Sequence, residues 1–429
     1  MASDEGTPGG HGYSIAVRCL VLRLVLAGVS LRCVPRALSV IAGVLGWTLP
    51  IPHWTTGRMW LLRYGHAALT QSVENADDWV WIIDHSVQIG KEKCLVILGM
   101  RLCHLPPQGQ ALESRHMRMI SLVPRKSWTR AEVAAELQAA AGRTCVPRAI
   151  VDDHGVDIHG GVELFRACHD NVAEFYDAKH KAACLLKRRL EKNPRWQEFF
   201  KHTGQTRCAI QQTELGFLVP PAPKPKARFM NLHATLRWAE NALEAVRNPN
   251  PKTLEATTAS RLQEKLGWLE EFSADIAKWS EWQSLINATV EFVNRQGVFR
   301  GAARLLAPEL RRRQTHPSSR QLAKELLKHV AQQSRQARRG ERLPGSSEIL
   351  ESTFGRFKQL EQQHSRGGFT SLVLAIGAFV GEMTVKTVQQ AMERSPTKRI
   401  PEWCREHLGT TFFSQRKQAF SPKSATKPG

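Results

Sequence analysis

Residues 79–102 read WVWIIDHSVQIGKEKCLVILGMRL, two runs rich in Val, Ile, Leu and Trp parted by the turn-forming Gly90-Lys91-Glu92. Branched and aromatic side chains at this density predict a β-hairpin. Asp84 lies in the middle of the first strand, where an uncompensated carboxylate among Val, Ile and Trp would be costly. Something must pair with it. Working outward, HMRMISLVPRK (116–126) predicts a third strand. A helix follows over RAEVAAELQAAAG, with Thr129 and Glu132 forming a capping box and Gly142 ending it. RAIVDD (148–153) is a short buried strand ending in acids, VELFRACHD (162–170) a helix, VAEFYD (172–177) another strand, and AKHKAACLLKRRLEK (178–192) a long basic helix. The order is strand, strand, strand, helix, strand, helix, strand, helix.

That order makes a partner for Asp84 concrete. Where the fourth strand lies beside the first, Asp153 meets Asp84, and two carboxylates a few ångströms apart repel unless protonated or bridged by a cation. A third carboxylate from a helix packed on the sheet would complete an oxygen-only site suited to Mg²⁺. Glu351, in SSEILESTFGRFK (346–358), is the candidate. Each choice has a plainer rival: Asp152 beside Asp153, and Glu348 as a first-turn acid complementing a helix dipole. Asp157 reads as a helix cap, and Asp77 and Asp78 as a solvated approach to the first strand.

Length and charge set the bounds. The chain has 429 residues, a formal charge of +21 and a pI near 10.0. More than one domain is expected at this length, and the charge favours a polyanionic partner, nucleic acid above membrane. Arg18, Arg23, Arg32 and Arg36 interrupt the apolar stretch 14–52, and an arginine at mid-bilayer costs about 3 kcal/mol, so no transmembrane helix is expected. Asp4 and Glu5 and the lack of early basic residues argue against a secretory signal. The nine cysteines contain no Cys-x-x-Cys pair, which argues against a zinc ribbon or a disulfide framework and fits a reducing compartment.

Upstream of the hairpin, three short helices are predicted: one capped by Ser14, one opening at Pro35 and ending at Gly46, and one beginning near Thr55. Their order is compatible with a helix-turn-helix-like module in which Thr55, Thr56 and Arg58 meet DNA. Downstream, residues 195 to about 340 show no convincing strand; VPPAPKPKAR (219–228) is a Pro-rich connection, and Trp268, Trp279 and Trp282 fall at helical spacing as core residues. Residues 309–342 carry ten Lys or Arg against three Glu, including Arg311, Arg312, Arg313, Arg338 and Arg339, a candidate phosphate-binding surface. SSEILESTFGRFKQLEQQH and FTSLVLAIGAFVGEMTVKTVQQAM are both read as helices, and QRKQAFSPKSATKPG as a disordered basic tail.

The element order, with Asp84 in WIIDHSVQIGKEKCLVILG, Asp153 in AIVDDHGVDI and Glu351 in SSEILESTFGRFK, resembles the RNase H-like catalytic core of DDE transposases, in the branch with a large helical insertion. YDAKH supplies Asp177 and His180 for the Cys-or-Asp, two residues, His signature of those families, and Lys358 follows Glu351 at the spacing seen in bacterial insertion-sequence enzymes. The Tyr and Arg expected upstream are replaced by Pro344 and Ser347, a departure from that subfamily. The resemblance implies an α/β fold with an RNase H-like mixed sheet and an all-α insertion. It divides the chain into an N-terminal helical DNA-binding domain (1–75), a first core part (76–194), the basic insertion (195–342), a second core part (343–395) and a basic tail (396–429). It further implies two Mg²⁺ ions, replaceable by Mn²⁺, held by Asp84, Asp153 and Glu351, and element ends and target duplex as DNA partners. The resemblance also implies a homodimer or larger assembly, in a prokaryotic cytoplasm or a eukaryotic nucleus. Asp177 and His180 are either accessory to catalysis or a helix-fixing hydrogen bond. Two other readings stay open: a nuclease or resolvase on the same fold that does not join strands, and a DNA-binding protein that has lost catalysis.

Overall fold

The computed structural model describes residues 12–89, 92–222, 229, 232–363, 370–409 and 412–420. The chain forms two compact units, one of residues 1–107, 111–175 and 347–429, the other of 108–110 and 176–346. Among the described residues, no helix is long and apolar enough to cross a membrane.

The first unit begins with helices α1 (Ile15–Leu26), α2 (Val34–Leu45) and α3 (Trp54–Thr70). Ser14 caps α1 by accepting from the Val17 amide, and Gly46 ends α2 in the left-handed conformation, as the sequence predicts. A sheet follows, built from β1 (Trp79–Ile89), β2 (Glu92–Arg101), β3 (Arg118–Arg125), β4 (Ala149–Asp152) and β5 (Ala173–Tyr176), with α4 (Arg130–Thr144) and α5 (Val156–Ala167) between the later strands. Strand order is β3-β2-β1-β4-β5, β1 being antiparallel to β2 and parallel to β4. The capping box at Thr129 and Glu132 is formed, but α4 runs past Gly142 to Thr144 and ends at Cys145 with φ 82°.

Trp79, Trp81, Ile83, Leu95, Ile97, Ile120 and Ile150 project from one face of the sheet onto Val133 and Leu137 of α4 and Ile158, Val162 and Phe165 of α5. The sheet is thus anchored by apolar burial on that side. Asp78 is not the solvated residue expected. Its carboxylate accepts from the Arg101 guanidinium and, at 3.2 Å, from the Cys103 amide, tying the start of β1 to the end of β2. Burial alone would push its carboxyl up, but these hydrogen bonds outweigh it and hold the group below its usual range. A depressed pKa contributes stability above the unfolded value near 3.9, lost as pH falls through the folded one. Asp78→Asn is expected to cost about 1 kcal/mol in denaturant melts at pH 7 and almost nothing at pH 2; equal costs at both would remove the ion-pair explanation.

The unit also takes α14 (Glu348–Gln362), a 3-10 segment at Ser371–Phe379, α15 (Val385–Arg394), α16 (Arg399–His407) and α17 (Phe412–Phe420). Two expectations are corrected here. Within the described part of FTSLVLAIGAFVGEMTVKTVQQAM, the stretch TSLVLAIGAFVGEM (370–383) is not α-helical: Ser371–Phe379 is a 3-10 run, buried from Leu372 to Phe379 and packed against α3, α14 and α16. Part of the expected disordered tail is helical in α17, while 421–429 lies outside the described residues. Helix α3 buries Trp60, Leu61, Leu62 and Ala67 and packs against Ser371–Phe379 and α15 within this unit.

The second unit is helical: α6 (Ala178–Leu190), α7 (Pro194–Ile210), α8 (Leu232–Arg247), α9 (Pro251–Ala256), α10 (Ala259–Leu266), α11 (Ser273–Gln296), α12 (Ala302–Arg312) and α13 (Pro317–Ser334). It starts at Tyr176, so α6 belongs here and not with the sheet. Two short strands, β6 (Val298–Phe299) and β7 (Arg342–Leu343), pair antiparallel where no strand was expected, too short to leave a sequence signal. Trp279 and Trp282 are buried, and half-buried Trp268 donates to Thr206 Oγ1 at 2.9 Å, so all three serve packing. The Pro-rich connection expected at 219–228 lies largely outside the described residues.

Candidate metal centre

In a strand, successive side chains alternate between faces. Trp81 and Ile83 of β1 and Ile150 of β4 point to the α4–α5 side. Asp84 therefore points to the opposite side, and so does Asp153, the residue just after β4. The paired residues are Val80, Trp81 and Ile82 with Ala149, Ile150 and Val151; the same register carried two places on sets Asp84 opposite Asp153. Both carboxylates are half-buried. Asp84 Oδ1 accepts from the His85 amide at 2.6 Å, and Asp153 Oδ1 from the Gly155 amide at 2.8 Å.

Helix α14 packs against β1, and none of its residues joins the cluster on the α4–α5 side, so it covers the face that carries the two aspartates. Leu350, Phe354, Phe357 and Leu360 are its buried stripe. Glu351, half-buried, lies along the edge of that stripe; Glu348 is exposed, and Lys358 is exposed two turns on along the Glu351 side. Asp84, Asp153 and the helix that carries Glu351 thus share one side of the sheet, but the ligand atoms of these three residues do not converge within 4.8 Å of one another. An all-oxygen donor set of this kind fits a hard divalent cation such as Mg²⁺.

The rival Asp152 faces the other way. It is fully buried, its Oδ1 accepting from the His154 amide at 2.6 Å. Burial first, and the Glu174 carboxylate second, push its carboxyl well above the usual carboxylate range. His154 takes φ 56°, the left-handed turn that reverses the chain between β4 and α5.

The sequence matches no family model and no curated protein. Among solved structures it is similar to the Drosophila P element transposase strand transfer complex, with 12% identity, a TM-score of 0.41, and coverage of 88% of this chain and 93% of that one.

The remaining expected site residues lie on other elements. Asp177 and His180 lie in the helical unit, where Asp177 caps α6: its Oδ2 accepts from the His180 amide at 2.8 Å and meets His180 Nδ1 at 2.7 Å. Thr55 is exposed and Thr56 half-buried at the start of α3, whereas Arg58 donates to Ser371 Oγ at 2.8 Å and is engaged within the unit. Arg311, Arg338 and Arg339 are exposed; Arg312 and Arg313 are exposed but pair with Glu309. Arg320, Lys324 and Lys328, at four-residue intervals on α13, add an exposed basic stripe. Asp157 is not the cap: Gly155 is the N-cap of α5, and the Asp157 carboxylate binds Lys93 Nζ at 2.9 Å and His85 Nε2 at 3.2 Å.

Sequence reasoning missed His154, His159 and Glu174, whose ligand atoms converge with that of Asp152. Nothing local marks them, since a turn, a helix and the next strand each contribute one.

Proposed function

We propose that this chain is a DDE-type DNA transposase with an RNase H-like core, cutting element ends and joining the freed 3′-hydroxyl to target DNA. The observation that supports the reading is the placement of Asp84 on β1 and Asp153 just past the end of its parallel neighbour β4, on the side where the helix of Glu351 packs. The strand order β3-β2-β1-β4-β5, with β1 central, supports the RNase H-like assignment.

Bound by these three carboxylates, magnesium would supply activation of the attacking oxygen and stabilisation of the leaving one. The three side chains provide negative charge and fixed position, and Lys358 offers a cation for a nearby phosphate. No protein nucleophile is required. The arginines of 311–313 and 338–339 and the α13 stripe supply sequence-independent grip on DNA.

The decisive experiment incubates the full chain with Mg²⁺ and a duplex carrying the sequences that flank its own coding region, then supplies pre-cut ends and a target plasmid. Cutting and joining are expected. Cutting without joining would leave a nuclease or resolvase, and binding alone a silent DNA-binding protein. In the same system log affinity should fall with log salt at about 0.9 per phosphate contacted, and Arg338→Ala with Arg339→Ala should flatten that slope. A salt-insensitive affinity would contradict the basic-surface reading.

A further inference from the structure

We propose that Asp152, His154, His159 and Glu174 form a zinc site on the face of the sheet turned away from Asp84 and Asp153. One ligand atom from each of the four lies within 4.8 Å of every other. A tetrahedral zinc with bonds near 2.0–2.1 Å needs ligand atoms about 3.4 Å apart, so a closing movement of about an ångström completes it.

The individual contacts show the convergence. Glu174 is 8% exposed, and its Oε1 meets His159 Nδ1 at 2.6 Å and His154 Nε2 at 3.5 Å. Asp152 is 0% exposed, and its Oδ2 has no hydrogen-bond partner among the described residues. A carboxylate oxygen buried in this way is expensive unless something fills it, and coordination would do so. The two imidazoles stack with centroids 4.1 Å apart and planes at 16°. Both remain partly open to solvent, which leaves a path for the ion.

The surrounding shell fits as well. Arg166 Nη1 holds the other oxygen of Glu174 at 2.8 Å, and Glu163 stands 3.5 Å from His159 Nε2, the ring nitrogen opposite the one turned to the site. A carboxylate behind a ligating histidine fixes its orientation and raises its basicity. Two imidazole nitrogens with two carboxylate oxygens suit zinc better than magnesium or calcium, which take oxygen alone.

The site would join the end of β4, α5 and β5. Asp153 sits between two of the ligands, so the ion would act as a positioning element for the turn that presents it. The zinc reading stands on this cluster alone and does not depend on the proposed transposase chemistry.

The full chain is stripped with chelator, returned to buffer with excess Mg²⁺, and titrated with Co²⁺ and then Zn²⁺. One equivalent is expected to bind, with the intense visible absorption of four-coordinate cobalt, displaced by zinc. His154→Ala and His159→Ala are expected to weaken binding at least about 100-fold and Glu163→Gln about 10-fold, with Asp84→Asn unchanged. Far-ultraviolet circular dichroism checks folding; should either histidine variant unfold, the other and the exposed Glu163→Gln carry the test. No cobalt or zinc uptake, or uptake that all three of these variants spare, overturns the proposal. So does uptake abolished by Asp84→Asn alone.

Discussion

Asp84→Asn, Asp153→Asn and Glu351→Gln are each expected to lower Mg²⁺-dependent DNA cleavage about 10³-fold or more while DNA binding changes little. The reason is positional. Asp84 lies on β1 and Asp153 just past the end of the adjacent parallel strand β4, where the register carried on sets the two opposite each other, and α14 packs on the same side with Glu351. In the proposed site, removing one carboxylate would leave the others repelling each other without the ion that compensates them. The neighbours provide the contrast. Glu348, exposed one turn earlier on α14, is expected to tolerate Gln at close to parent activity. Asp152, chemically identical to Asp153 and adjacent to it, points to the α4–α5 side, and Asp152→Asn should cost about tenfold, through the turn it supports. Gel assays of strand cleavage and DNA binding on the five variants decide the matter. More than a tenth of parent activity in any of the first three would break the assignment, and equal losses at Asp152 and Asp153 would remove the argument from sheet faces.

Much of this arrangement is legible in sequence because its signals are local. The apolar runs of 79–102, the capping box at Thr129 and Glu132, and the cap at Ser14 each depend on residues a few positions apart, and each forms as read. The choice of Asp153 over Asp152 is not of this kind: it rests on the family resemblance, at the place just before the His154-Gly155 turn. What fails does so for nonlocal reasons. Ser371–Phe379 is apolar all round, so no periodicity separates an α-helix from the 3-10 run it adopts against α3. Arg63 is buried, donating to the carbonyls of Ser395 at 2.6 Å and Met392, a placement that no local signal marks. The Asp152, His154, His159 and Glu174 cluster is assembled by a turn, a helix and a strand whose proximity exists only after folding.

The same nonlocal packing sets the second large effect. Gly65 of α3 lies so close to the 3-10 run that a Cβ there would stand 1.8 Å from the Leu374 carbonyl oxygen and 2.7 Å from its carbon, and a Cβ on Gly377 would stand 2.6 Å from the Gly65 oxygen. Both obstacles are backbone, which cannot rotate aside as a side chain can. Relief would require moving α3 away from Ser371–Phe379, while α3 is also tied by Arg63 to the end of α15 and by His66 Nδ1 to Ser395 Oγ at 2.9 Å. Overpacking of well-packed interiors ordinarily costs about 1–3 kcal/mol, and here the displaced group is main chain on both sides, so Gly65→Ala is expected to cost about 3 kcal/mol or more. Gly142, in α4 with nothing within 4 Å of its virtual Cβ, gives the opposite sign: Gly142→Ala should stabilise by about 0.5–1 kcal/mol through helix propensity. Urea melts of the two variants against the parent separate steric from entropic effects. Gly65→Ala within 1 kcal/mol of the parent would mean that α3 and the 3-10 run are not in backbone contact, and the burial of the apolar 371–379 segment would then need another explanation.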